Sequence, residues 1–190
     1  MKSSATFAKV KTAFEARGLA RRELSGTSTE ALNASKRAIF ALHREDAAGA
    51  DARLAEASTA LAHCAKLLRG FPDLDGEGVF RAALEEYAEA RLFAQYVEKG
   101  LLGSLEKRLM APGVYLAGLS DTTGEIVRYA LRRATEGDRR AVEHAFRTVE
   151  AVIAFLYELD LTGYLRTKFD QAKKNLRALE QMRYDLKMRR

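Results

Sequence analysis

Residues 78–98 read GVFRAALEEYAEARLFAQYVE. Within this stretch Ala82, Glu86, Glu89, Phe93 and Tyr96 recur at i, i+4, i+7, i+11 and i+14, which is one stripe of an α-helix. Phe80, Leu84 and Tyr87 form a second apolar stripe on the opposite side. A helix that is apolar on two sides is enclosed by neighbours, not laid on a surface. The segment therefore predicts the interior helix of an all-α bundle. It also sets two carboxylates, Glu86 and Glu89, at a spacing that points both the same way.

Helical periodicity continues along most of the chain, and no run of alternating β-branched residues is long enough for a strand. Breakers divide the pattern into seven helices. The first covers residues 6–24 and ends at the Ser25-Gly26-Thr27-Ser28 cluster, which supplies caps for a second helix reaching His43. A third spans 51–68, before Gly70 and Pro72, and a fourth spans 78–98, before Gly100 and Gly103. The fifth runs over 112–135 with Pro112 in its first turn, the sixth follows Glu136-Gly137-Asp138 over 139–158, and the last follows Gly163 over 164–187. Mostly short connections imply a seven-helix antiparallel bundle, and a chain of 190 residues without repeats or linkers is read as one domain, 1–190.

Composition narrows the function classes. Hydrophobic residues make up 47% and charged residues 31%, a globular rather than disordered balance. The single Cys64 permits no internal disulfide and no CxxC zinc pair, which suits a reducing, cytoplasmic setting. The longest apolar run, Ala151 to Tyr157, is far too short for a membrane span, and no signal-peptide core opens the chain. The net charge of +6 is concentrated: residues 164–190 hold nine Lys or Arg against three Asp or Glu, while the remainder balances at 23 each. A basic terminal helix either attracts a polyanion such as nucleic acid or is simply a solvated face.

A second acidic pair, Asp121 and Glu125, shares a face of the helix over 112–135 with Gly118, and Arg128 and Arg132 continue that face. Small Gly118 and Gly124 permit close approach of another helix. A buried carboxylate must be protonated, paired with a cation or metal-bound. Plain salt bridges would join Glu125 to Arg128 or Arg132, and Glu85 or Glu89 to Arg81. The alternative is a hard-cation site, because Mg²⁺ prefers oxygen ligands and keeps waters that serve as nucleophile or bridge to phosphate.

The words around these residues are more specific than the spacing. Ser35 to Arg44, SKRAIFALHR, resembles a helix of the translin and translin-associated factor X superfamily. Leu84 to Ala90, LEEYAEA, looks like the acidic word of the translin-associated factor X branch, which plain translins lack. Tyr115 to Asp138 is similar to the family's YLxGxxDLTGELxR...GD segment, with Thr122 in place of the usual leucine. The terminal LEQMRYDLKMRR resembles the closing helix, with Tyr184, Leu186, Lys187 and Arg189 in register and Arg190 replacing a glycine.

The resemblance implies a seven-helix fold, ring or shell oligomers, commonly octamers, and binding of RNA or single-stranded DNA. It further implies that Glu86, Glu89 and Asp121 are catalytic and bind Mg²⁺, or Mn²⁺, for endoribonucleolytic cleavage, with Glu125 as a further metal ligand or neighbour. A self-sufficient homo-oligomer is expected, since no partner is in evidence. Candidate phosphate contacts are Lys36, Arg37, Arg44, Arg81, Arg128 and Arg132. Ile39, Phe40 and Leu42 read as core, and His43, His63 and His144 as scattered surface or satisfied histidines without metal-ligand spacing. Two rival readings remain: a translin-like binding shell without catalysis, and a helical assembly subunit that contacts acidic proteins.

Overall fold

Local capping signals set most helix boundaries, and burial overrides them at one. The computed structural model describes residues 2–188, so the terminal Arg189 and Arg190 lie outside the described residues. Six α-helices and one short turn make up the order: α1 (Lys2–His43), α2 (Ala47–Gly70), a 3-10 turn at Pro72–Leu74, α3 (Gly78–Lys99), α4 (Pro112–Thr135), α5 (Arg139–Tyr157) and α6 (Gly163–Met188). The all-α class agrees with the periodicity; the expected count of seven does not.

The difference lies at Ser25-Gly26-Thr27-Ser28, where α1 runs through without a break. Leu24, Ser28 and Ala31 are fully buried at i, i+4 and i+7, so the inward stripe crosses the cluster. Thr29 Oγ1 donates back to the Ser25 carbonyl at 2.9 Å, and Ser28 Oγ lies 3.7 Å from Sγ of buried Cys64. Of the cluster's hydroxyls, that of Ser28 thus turns to α2, and the Ser25 carbonyl is taken up within the helix. Packing against α2 and α3 outweighs the poor local propensity.

Other boundaries follow their local chemistry. Asp46 caps α2 by accepting from the Gly49 amide at 2.9 Å, and Asp138 caps α5 by accepting from the Ala141 amide at 3.0 Å. Gly100 ends α3 in the left-handed region at φ 68°, and Pro112 opens α4.

The helices pack in two groups, α1–α2–α3 and α4–α5–α6, joined where α3 meets α4. One core cluster takes Phe80, Leu84, Tyr87 and Phe93 of α3 against α1, α2 and α4; a second takes Leu92 with Leu119, Leu156 and Phe169 of α4, α5 and α6. Interior helix α3 is therefore buried on both sides, as its two stripes predict. No described helix is long and apolar enough to cross a membrane.

Candidate functional site

Four carboxylates meet in the seam between the two helix groups. Helix α3 supplies Glu86 and Glu89, and α4 supplies Asp121 and Glu125. Glu89 is buried, at 9% exposure, and the other three are half-buried. The charges of Asp121 and Glu125 act on both α3 glutamates. The Glu89 carboxyl is pushed up to about 9, first by burial and then by the charges of Glu86, Asp121 and Glu125, with Lys168 opposing. Burial also raises Glu86, opposed by Lys36 and reinforced by Asp121 and Glu125. Asp121 is raised by burial against the bond and charge of Lys168.

Two cationic or neutral partners close the cluster from other helices. Lys168 of α6 donates through Nζ to Asp121 Oδ2; burial works to lower the ammonium's pKa, but the bond and charge of Asp121 outweigh it and leave the pKa raised. His43, the last residue of α1 and 7% exposed, shares a hydrogen bond between Nε2 and Glu125 Oε2 while its ring packs 4.7 Å from that of Phe93. Glu86 and Glu89 differ: among the described residues, neither carboxylate receives a hydrogen bond or ion pair. Adjacent Glu85, 7% exposed, is fully engaged, accepting from Arg81 Nε at 2.8 Å and from the Tyr164 hydroxyl at 2.7 Å.

These contacts sort the expected salt bridges. Arg81 does pair with Glu85. Arg128 Nη1 reaches Glu125 only at 3.8 Å, and Arg132 turns away to Glu45 at 2.9 Å, Glu136 at 3.2 Å and the His43 carbonyl. His43, read as a surface or satisfied histidine, is buried and bonded to a member of the cluster. Lys168 carries no signal in the sequence, because 47 positions separate it from Asp121 and no local pattern marks the pair.

The basic candidates are distributed around this seam. Lys36, Arg37 and Arg44 are exposed on and just past α1, and Lys36 is near enough to Glu86 to lower its pKa. Phe40, read as core, is instead 53% exposed with the Arg44 guanidinium 5.6 Å from its ring centre, whereas Ile39 and Leu42 are buried. Arg81 and Arg128 have side chains 51% and 59% exposed.

The donor set suits a hard divalent cation: four carboxylates, one of them buried with no partner. In the side-chain arrangement described, with Asp121 on Lys168 and Glu125 on His43, no three acidic, histidine or cysteine side chains converge on a single ligation point among the described residues. A cation at Asp121 would take the place of the Lys168 ammonium.

Residues 20–190 match the Translin family. No curated protein matches the chain in sequence. Several solved structures share the fold. The crystal structure of apo-NeC3PO superposes with a TM-score of 0.86 at 23% identity, covering 95% of this chain and 96% of that one. The crystal structure of AfC3PO gives 0.87 at 24% identity, and the AfC3PO–duplex RNA complex 0.86 at 24%, each covering 97% of this chain and 98% of that one.

Proposed function

The chain belongs to the Translin family, and we propose that it is a homo-oligomeric shell, an octamer, that binds RNA or single-stranded DNA and cleaves RNA phosphodiesters with Mg²⁺ or Mn²⁺. Glu86, Glu89 and Asp121 hold the cation, with Glu125 as the fourth carboxylate. The observation that carries this reading is Glu89, a buried carboxylate pressed by three others with no cation or donor on it. Such a group is costly in a purely structural role. A similar fold is found in a complex with duplex RNA.

When bound, the cation supplies an activated water and offsets charge on the phosphate in the transition state. The chain's own residues do the rest. Lys36 and Arg37 on the exposed face of α1 and Arg44 just past its end, with Lys36 near Glu86, hold backbone phosphates without reading bases, so cleavage has low sequence specificity. His43, which sits on Glu125, keeps that carboxylate oriented toward the seam.

Cleavage of labelled single-stranded RNA in Mg²⁺ tests the assignment. Glu89→Ala and Asp121→Ala should each slow it by about a hundredfold or more, the scale of losing a charged catalytic group. Unchanged cleavage in both variants would remove these residues from the site. One observation favours the second reading: Asp121 and Glu125 already have partners in Lys168 and His43. Tight binding of single strands with no metal-dependent cleavage would establish a binding shell instead.

A further inference from the structure

Beside the carboxylate seam, Gly78, Arg81, Ala82 and Glu85 of α3 and Tyr164 of α6 bound a hollow of about 260 Å³. We infer that it is a nucleotide subsite, in which the Tyr164 ring stacks one unpaired base and Arg81 and Lys168 receive the phosphates on either side of it. The inference rests on the nucleic-acid reading above and gives it a place for a base.

Tyr164 is unusual among the exposed aromatics. Its residue is 51% exposed, yet its hydroxyl is fixed by a 2.7 Å bond to Glu85, itself 7% exposed and held by Arg81 Nε at 2.8 Å. A ring that is open to solvent but already oriented loses little freedom when a base lies on it. Phe7, Phe14, Tyr157 and Tyr184 are also exposed, but none is hydrogen-bonded to an acidic residue.

Charge completes the chemistry. Arg81 and Lys168 lie over the Tyr164 ring, the guanidinium carbon 5.5 Å and Nζ 5.3 Å from its centre, so a base that stacks there displaces them toward its phosphates. Glu85 uses only Nε of Arg81, so the Nη groups keep their donors for a phosphate. Register ties the hollow to the cluster: Arg81, Glu85 and Glu89 follow one another at i, i+4 and i+8 on α3, and Tyr164 and Lys168 at i and i+4 on α6. A nucleotide seated there therefore carries its phosphate toward Lys168 and Asp121. Aromatic stacking is open to any base, which suits a single strand bound without sequence preference.

The test measures binding of a fluorescein-labelled oligouridylate in EDTA, so that no cleavage intervenes. Tyr164→Ala should weaken binding by about five- to a hundredfold, the scale of one lost base stack. Tyr164→Phe, which keeps the ring, should lose distinctly less. On an abasic sugar–phosphate strand of the same length, the Tyr164→Ala penalty should vanish. If Tyr164→Ala binds oligouridylate as wild type does, or loses equally on the abasic strand, the subsite is overturned. The two readings fail separately: a base-dependent Tyr164 effect with no Mg²⁺-dependent cleavage in wild type removes the nuclease and keeps the subsite. Cleavage that depends on Asp121, with no Tyr164 effect on binding, does the reverse. Absence of any oligonucleotide binding by wild type overturns both.

Discussion

A Cβ placed on Gly118 would stand 2.8 Å from the Cβ of Ala88, and 3.0 and 3.1 Å from the backbone nitrogen of Glu89 and oxygen of Glu85. The absent side chain lets α4 come down onto α3 at the level where the carboxylates gather. Here a glycine in mid-helix is required by proximity, not by backbone conformation.

Gly118→Ala gains about 1 kcal/mol of helix propensity but meets backbone that cannot yield, at an overpacking cost of about 1–3 kcal/mol. We expect a net loss of up to about 2 kcal/mol in urea unfolding. Gly124→Ala is the control, since its Cβ would lie 3.5 Å from Asn175 Nδ2 in ordinary contact. That variant should gain up to about 1 kcal/mol. A Gly118→Ala protein as stable as Gly124→Ala would remove the close approach as an explanation.

Stability of the metal-free protein should fall as pH rises. Glu89 has a folded pKa of about 9 against an ordinary 4.5, so between those values the folded chain binds a proton that the unfolded chain has released. Its contribution is complete below about pH 4.5 and declines through about pH 9, by up to about 1 kcal/mol per unit. Glu89→Gln, neutral throughout, should flatten this slope in EDTA-treated samples melted at pH 6, 7.5 and 9. A slope unchanged by the substitution would show that Glu89 does not carry it.

Divalent cation should stabilise the fold, because the seam gathers negative charge that the unfolded chain disperses. At a hundredfold excess over Kd, one site adds about 2.7 kcal/mol, and for a chain of this size each kcal/mol is worth about 2–4 °C in Tm. Mg²⁺ added to EDTA-stripped protein should raise Tm accordingly, and the paired change Glu86→Gln with Glu89→Gln should abolish the rise. An equal rise in the double variant would place the cation elsewhere.

Continuity of α1 has its own signature at Gly26, which is exposed and where an added Cβ would meet nothing within 4 Å. Inside an unbroken helix, Gly26→Ala should stabilise by about 0.5–1 kcal/mol. At a helix end where glycine serves as a cap, the same change would destabilise. Thermal melts of the single variant separate the two arrangements.

Most helix boundaries are legible in the sequence because their signals are local. Asp138 before α5, Pro112 opening α4 and Gly100 closing α3 act on backbone within one turn, so their meaning survives without tertiary context. The Ser25–Ser28 cluster misleads for the opposite reason: its composition signals a break, but Leu24, Ser28 and Ala31 are buried against other helices and that packing prevails. Phe40 misleads similarly. Its neighbours Ile39 and Leu42 face the core while it faces Arg44 and solvent, a choice of helix face that apolarity alone does not make.

That the chain is helical, and that Glu86 with Glu89 and Asp121 with Glu125 each point one way from their helix, can be read along the sequence. Those facts depend only on residues three or four apart. That the two pairs share one seam, that Lys168 and His43 answer Asp121 and Glu125, and that Glu89 is left without a partner emerge only once the helices are packed. These relations join positions 47 and 82 residues apart. Helix geometry repeats within a few residues, whereas the partner across an interface is set by packing of whole faces.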